Sequence, residues 1–67
     1  MSVARVSEIT STSDKSFEDA IQQGIGRATK TLRGVTSAWV KEQEVEIRDN
    51  NIINWKVNML VTFLLEG

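Results

Sequence analysis

A single helix between segments of strand character is the arrangement that this sequence specifies most clearly. Apolar and small residues recur at intervals of three and four, which places them on one face of an α-helix. The members of this stripe are Phe17, Ala20, Ile21, Gly24, Ile25, Ala28 and Leu32. Because Gly24 has no side chain on this face, we expect another backbone to approach closely there.

The sequence also indicates where this helix begins and ends. The helical pattern starts at about Asp14, whose charge suits the positive end of the helix dipole, and the hydroxyl of Ser13 is the predicted N-cap. Lys30 and Arg33 suit the negative end. Gly34 follows, and it can adopt the left-handed conformation that ends many helices.

Strands are predicted before and after the helix. Residues 3–10 are rich in β-branched types and lead into a polar cluster at residues 11–14, which predicts a strand followed by a turn. Residues 35–48 and 52–66 predict two long strands. Asn tolerates positive φ, so a two-residue hairpin turn is expected at Asn50 and Asn51.

That turn determines which residues of the two strands pair and which side of the sheet each side chain faces. It would pair Val40 with Val61, Ala38 with Phe63 and Thr36 with Leu65. In the last strand, one face carries the residues expected to meet the helix, which are Ile53, Trp55, Val57, Met59, Val61, Phe63 and Leu65. The opposite face would carry Ser37, Trp39, Lys41, Gln43, Val45 and Ile47 beside Lys56, Asn58, Leu60, Thr62 and Leu64.

The helix is too short to cover this sheet. At the usual rise per residue the strands reach more than about 40 Å, whereas a helix of ~20 residues spans about 30 Å. Trp39 and several aliphatic side chains would therefore remain exposed on the face opposite the helix. Apolar surface of this kind usually marks an interface or a ligand site, and a closed symmetric assembly would bury it.

Composition supports an assembly and argues against catalysis. At 67 residues the chain is a single domain, near the lower size limit for independent stability. It has no cysteine for disulfides and no histidine, which makes a structural zinc site improbable. The absence of Cys, His and Tyr also removes thiol nucleophiles and the commonest general base, so we do not expect an enzyme.

Charge and hydropathy argue against nucleic-acid-binding, secreted and membrane-spanning proteins. Eight basic and nine acidic residues give a net charge of −1, which provides no basic field for nucleic acid. The N-terminal residues lack the apolar core of a signal peptide, and no stretch approaches the ~20 apolar residues of a membrane span. We expect a cytoplasmic protein.

The order and length of these elements resemble the dodecin family. The segments that carry the resemblance are residues 10–13, 17–21, 27–33, 40–42 and 57–66, and the similarity extends over nearly the whole chain without gaps. It implies one dodecin-like domain over residues 1–67, of α+β class, in which a three-stranded antiparallel sheet wraps around one helix. It further implies a hollow homododecamer that stores flavin (riboflavin, FMN or FAD) between paired tryptophans.

The resemblance also suggests which residues would contact a flavin. The family's stacking tryptophan corresponds to Ser37, and Trp39 lies two residues later on the same predicted face. The family's glutamine on the last strand corresponds to Lys56, which could donate to the ring's carbonyl edge or to a flavin phosphate. Gln43, expected on the same face, offers both a donor and an acceptor.

Other interpretations remain open for the same residues. Trp39 could be an interface anchor, Trp55 is expected to pack against the helix end or a neighbour, and Lys56 could be a solvated or salt-bridging residue. The carboxylates Glu42, Glu44 and Glu46 could bind a divalent cation, or could protect a sheet edge from unwanted pairing. The alternative function is a dodecin-like shell without flavin, acting as a structural or metal-ion-binding assembly.

Overall fold

The structure, a computed structural model, describes residues 2–65 and has the order β-α-β-β. Its elements are β1 (Ala4–Ser13), α1 (Phe17–Thr31), β2 (Val35–Arg48) and β3 (Asn51–Leu64). The strands form one antiparallel sheet in the order β1-β3-β2, so β3 is central and pairs with both edge strands. This confirms the α+β class and the three-stranded sheet.

The first strand is longer than predicted. Residues 11–13, expected to begin a turn, remain in β1 because they pair with Val57, Lys56 and Trp55 of the central strand. Long-range pairing therefore overrides the turn character of these hydroxyl-bearing residues.

The helix begins later than predicted, and its N-cap is Ser16 rather than Ser13. The hydroxyl of Ser16 accepts a hydrogen bond from the backbone N–H of Asp19 at 2.9 Å. Ser13 instead ends β1 and is buried, where its Oγ accepts from the N–H of Lys15 at 2.9 Å and donates to Asp19 Oδ2 at 2.6 Å. Both serines thus stabilise the entry to the helix, but only Ser16 caps it.

The far end of the helix also differs in detail. Helix α1 ends at Thr31 with Leu32 as C-cap, so Lys30 lies in the last turn and Arg33 lies beyond it. Gly34 does have a positive φ of 74°, but two residues after the cap, where its carbonyl accepts from the N–H of Leu64 at 2.9 Å. A side chain there would be strained by this backbone conformation, which explains glycine at the start of β2.

The hairpin turn is centred one residue earlier than predicted. Asp49 and Asn50 have φ of 51° and 66°, the positive values that a two-residue mirror-image turn requires, and Arg48 pairs with Asn51. The predicted pairs of Val40, Ala38 and Thr36 were therefore wrong. The observed pairs are Val40 with Met59, Ala38 with Val61 and Val35 with Phe63.

Three irregularities interrupt the pairing of β2 with β3. They lie between Val35 and Ser37, between Val40 and Glu42, and between Glu46 and Ile47. At the first two, the extra residue belongs to β2, so the β2 side chains that follow it change face; at the third, the extra residue is Ile53 of β3. The second bulge moves Gln43, Val45 and, by regular alternation along β2, Ile47 to the helix side, which corrects their predicted placement.

The core lies between α1 and one face of β3. Val57, Met59 and Val61 are fully buried there with Ala20, which confirms the predicted helix-facing side of the last strand. The partly buried residues packed around them are Ile9, Phe17, Ile21, Ile25, Leu32, Val35 and Val40. Gly24 is buried against this core, and a Cβ on it would lie 2.6 Å from Met59 Cε; this confirms close packing at Gly24, but side chains rather than the expected backbone make the approach.

Much of the sheet lies beyond the reach of the helix. The subunit measures 52 × 19 × 13 Å, whereas a 15-residue helix is about 22 Å long. The large apolar residues left exposed are Val3, Val6, Trp39, Ile47, Ile52, Leu64 and Leu65. Trp55 is half-buried on the helix-facing side, between Ser13 and Val45. Within residues 2–65, none of the helical structure is long and apolar enough to cross a membrane.

Candidate ligand-binding face

The sheet surface opposite α1, here called the outward face, brings the candidate site residues together. Central-strand residues alternate, so those next to the buried positions point outward. The β1 and β2 residues paired with them share this face. Its members from residues 8–62 include Glu8, Thr10, Ser37, Trp39, Lys41, Glu42, Glu44, Glu46, Lys56, Asn58, Leu60 and Thr62.

Trp39 is the largest apolar feature of the outward face. It pairs with Leu60 and is 66% exposed, although tryptophan is usually among the more buried residue types. Ser37 pairs with Thr62, so it lies on the same face two residues away, as the period-2 rule predicts. The small serine leaves open surface beside the indole, which can accept a flat aromatic partner.

A polar groove of about 470 Å³ lies next to the tryptophan. It is lined by Glu8, Thr10, Glu42, Gln43, Glu44, Lys56 and Asn58. The groove begins at Asn58, two residues along β3 from the partner of Trp39, a separation of about 7 Å at the usual strand rise. Lys56 is two residues farther, about 13 Å from the level of the indole.

Hydrogen bonds and an ion pair link all three strands at the near end of the groove. Asn58 of β3 donates from Nδ2 to Glu8 of β1, and its Oδ1 accepts from Thr10 Oγ1 at 3.2 Å. Lys41 of β2 places its Nζ 3.7 Å from the same Glu8 carboxylate. The side chain of Asn58 is therefore held in one orientation by β1, with a cation from β2 beside it.

Lys56 is not a free cation on this face. Its ammonium group forms an ion pair with the carboxylate of Glu44, the residue paired with it across the two strands. The hydrogen bond to Glu44, and then the charge of Glu44, raise the pKa of Lys56 above its ordinary value. The salt-bridging role considered from the sequence is confirmed, while contact of Lys56 with a ligand stays a prediction.

Gln43 does not share the face of Trp39. It pairs with buried Val57, so the bulge around Lys41 has turned it toward the helix side of β2, and the expectation of a shared face was wrong. It nevertheless contributes to the lining of the groove between Glu42 and Glu44.

The three carboxylates of β2 are on one face, as predicted. Glu42, Glu44 and Glu46 pair with Asn58, Lys56 and Asn54, all on the outward face. Glu44 binds Lys56, and Glu46 accepts from Asn54 Nδ2 at 3.1 Å. Among residues 2–65, no three acidic side chains are grouped as metal ligands would be.

Sequence reasoning missed the contribution of the first strand. Glu8 and Thr10 line the groove because β1 pairs with the distant β3, with Glu8 opposite Leu60 and Thr10 opposite Asn58. The N-terminal segment contains no local signal for that register, which is set by contacts with residues about fifty positions later.

Comparisons with known proteins agree on one family. The family model named Dodecin matches residues 3–66 of this chain. A search of curated proteins found no significant match.

Several solved structures share the fold. Dodecin from Streptomyces davaonensis is 35% identical, with 98% of this chain and 97% of that chain covered and a TM-score of 0.93. A mutant of Thermus thermophilus dodecin is 34% identical, with both chains covered completely and the same TM-score of 0.93.

A third match is described by its ability to bind an ion. It is the calcium-chelating calcium dodecin from Mycobacterium tuberculosis, 26% identical, with 97% of this chain and 93% of that chain covered and a TM-score of 0.83. The family model spans nearly the whole chain, and two of these structures exceed 30% identity with at least 97% of each chain covered. This chain belongs to the dodecin family.

Proposed function

We propose that this protein stores and buffers flavin, sequestering riboflavin or flavin nucleotides in a hollow homododecamer. The observation that carries the proposal is the exposed indole of Trp39 on a sheet face that the subunit's own helix cannot cover. Flavin binding in other members of the dodecin family supports it. The proposed store is a cytoplasmic one, as expected from the sequence.

The shape of the subunit supports assembly. The fully buried apolar side chains are few, while large apolar residues are exposed near both ends of the sheet, including Ile47, Ile52 and Leu65. A domain of this size with so small a core usually obtains further stability from oligomerisation. A closed symmetric shell buries such surfaces on every copy and leaves none to support further growth.

The residues of the outward face fit a flavin. A tricyclic isoalloxazine ring stacks on a tryptophan with a gain of about 1 kcal/mol beyond burial of area. If a two-fold axis passes near Trp39, two indoles from neighbouring subunits provide both walls of the binding slot. The open surface at Ser37 leaves space for the ring, and the groove next to Leu60 offers polar partners to the tail.

Storage, rather than catalysis, follows from the chemistry of these residues. The outward face offers carboxylates, lysines, hydroxyls and amides, and its lysines are already paired with carboxylates. A bound flavin supplies the visible absorption and the redox chemistry, and the protein's part is to hold the ring against an aromatic surface.

Two measurements on the purified oligomer test this proposal. The first is its absorption spectrum between the protein band and the visible, where bound flavin would appear, together with its mass by light scattering. The second is a titration of riboflavin with flavin-free protein, in which stacking on Trp39 should quench the ligand's fluorescence. Protein that leaves riboflavin fluorescence unchanged, or that is a monomer, refutes the proposal.

A second candidate is a shell of the same architecture that binds ions instead of flavin. The ion pair of Lys56 with Glu44 stands where flavin-binding members have a glutamine, and Ser37 stands at their tryptophan position. The calcium dodecin from Mycobacterium tuberculosis shows that one structural relative is named for an ion. Calorimetric titration with CaCl2 separates the two candidates. Only the ion-binding shell predicts saturable calcium uptake by a protein that does not quench flavin fluorescence.

A further inference from the structure

We infer that Glu44 is a specificity-determining residue, which makes this protein prefer flavins with an uncharged tail over flavins that carry a phosphate. The inference rests on the proposed function and names the ligand class within it. It is carried by the ion pair between Glu44 and Lys56 inside the groove next to Trp39.

The position of the groove is the first step. It shares the outward face with Trp39 and begins about 7 Å from the level of the indole. A ligand tail that leaves the ring in the direction of Lys56 passes over Asn58 and between Glu8 and Glu42. These residues therefore determine which tails the site tolerates.

The balance of charge is the second step. The outward-facing acids of this region are Glu8, Glu42, Glu44 and Glu46, against the two cations Lys41 and Lys56. Each lysine is paired with a carboxylate, Lys41 with Glu8 and Lys56 with Glu44. The surplus is negative, and neither cation is free to bind a phosphate.

A phosphate therefore meets a different environment from a hydroxyl. It carries between about −1.5 and −2 charges at neutral pH, so entry into the groove is opposed by the surplus carboxylates. To bind Lys56, the phosphate must also displace the carboxylate of Glu44, which already neutralises the charge of the Lys56 ammonium group. Ribityl hydroxyls are neutral, and they can donate to these carboxylates and accept from Asn58 without displacing a charge.

The test is a comparison of riboflavin with FMN. Dissociation constants of both are measured by fluorescence quenching with the full-length oligomer, at low and at high ionic strength, for the wild type, Glu44→Gln and Glu18→Gln. Glu18 lies in the first turn of α1 and is exposed, so its variant makes the same change of net charge away from the groove. Light scattering verifies the assembly of each variant.

We expect the wild type to bind riboflavin more tightly than FMN at low ionic strength. Salt should reduce this preference, because it screens repulsion between exposed charges. Glu44→Gln frees Lys56 and should lower the preference by about threefold or more, through tighter FMN binding, which matches the size of exposed charge interactions. Glu18→Gln should leave the preference unchanged.

Lys56→Met examines the same ion pair from its other side and serves if Glu44→Gln disturbs assembly. It leaves Glu44 without its cation and adds no amide, so the preference for riboflavin over FMN should increase. Equal or tighter binding of FMN by the wild type at low salt overturns the inference but leaves flavin storage intact. If Glu44→Gln and Glu18→Gln change the preference for riboflavin equally, the inference is also overturned while flavin storage stays intact. If neither flavin is quenched, the proposed function itself fails.

Discussion

Trp39 and Gln43 lie on opposite sides of the sheet, although they are four residues apart in the same strand and regular alternation would put them on one face. Trp39 pairs with Leu60 and Gln43 pairs with buried Val57, because a bulge at Lys41 inserts one extra residue between them. The stacking residue and the amide that the sequence placed on one face are therefore separated by the backbone.

This separation predicts different effects of two alanine substitutions. Trp39→Ala removes the stacking surface from both sides of the proposed two-fold slot, so riboflavin binding should weaken by about tenfold or more. Gln43→Ala should change it by less than about threefold. Quenching titrations measure both, with light scattering to verify the oligomer. A Gln43 variant that loses binding as severely as the Trp39 variant would contradict the assignment of the outward face.

The two interior glycines of α1 should respond in opposite ways to alanine. At Gly24 a Cβ would lie 2.6 Å from Met59 Cε and 3.0 Å from Ser11 Cβ, so overpacking should outweigh the better helix propensity and destabilise by about 1–3 kcal/mol. At Gly26 no atom lies within 4 Å of the added carbon, so alanine should stabilise by up to about 1 kcal/mol. Denaturant unfolding at one fixed protein concentration compares them, and stabilisation by Gly24→Ala would refute the tight packing.

The carboxylate of Asp19 should make stability fall at acid pH. Hydrogen bonds from Ser13, and then from Gln23, lower the pKa of Asp19 below its ordinary value of 3.8. A carboxyl group whose pKa is lowered by folding contributes stability above its unfolded pKa, and this contribution is lost as the pH falls toward the folded value.

Asp19→Asn should therefore be less stable than the wild type at neutral pH. Its stability should also fall less than that of the wild type below about pH 4. Thermal unfolding measured at steps from neutral pH down to acid records the difference. Asp14→Asn is the matched control, because Asp14 precedes the helix and is exposed. If both variants retain the wild-type acid profile, the interaction of Asp19 with Ser13 does not stabilise the native state.

The tip of the β2–β3 hairpin should be required for assembly. Ile47 and Ile52 pair with each other beside the hairpin turn and are 62% and 48% exposed. An isolated subunit would tolerate a charge at either position, whereas an interface would not, so Ile52→Asp should reduce the mass measured by light scattering. Ile52→Val should retain the full assembly. An Ile52→Asp variant of unchanged mass would show that this apolar pair is not part of a subunit contact.

Features that depend on local periodicity were predictable from the sequence. The spacing from Phe17 to Leu32 was sufficient to define the buried face of the helix, because a helix repeats every 3.6 residues whatever it packs against. The alternation from Val57 to Val61 likewise identified the buried side of β3. A positive-φ turn near Asn50 was foreseeable, because few residue types tolerate that conformation.

Features that depend on pairing between distant segments were not predictable in this way, because they are set by contacts in the folded chain. The exact turn, the bulges between β2 and β3 and the pairing of β1 with β3 each depend on a difference of one residue, and an extra residue in a strand reverses the face of the side chains that follow it. For that reason the sequence placed Gln43 wrongly and gave no indication of Glu8. The capping of α1 by Ser16 was decided in the same way, since pairing with β3 keeps Ser13 in the sheet and delays the helix by three residues.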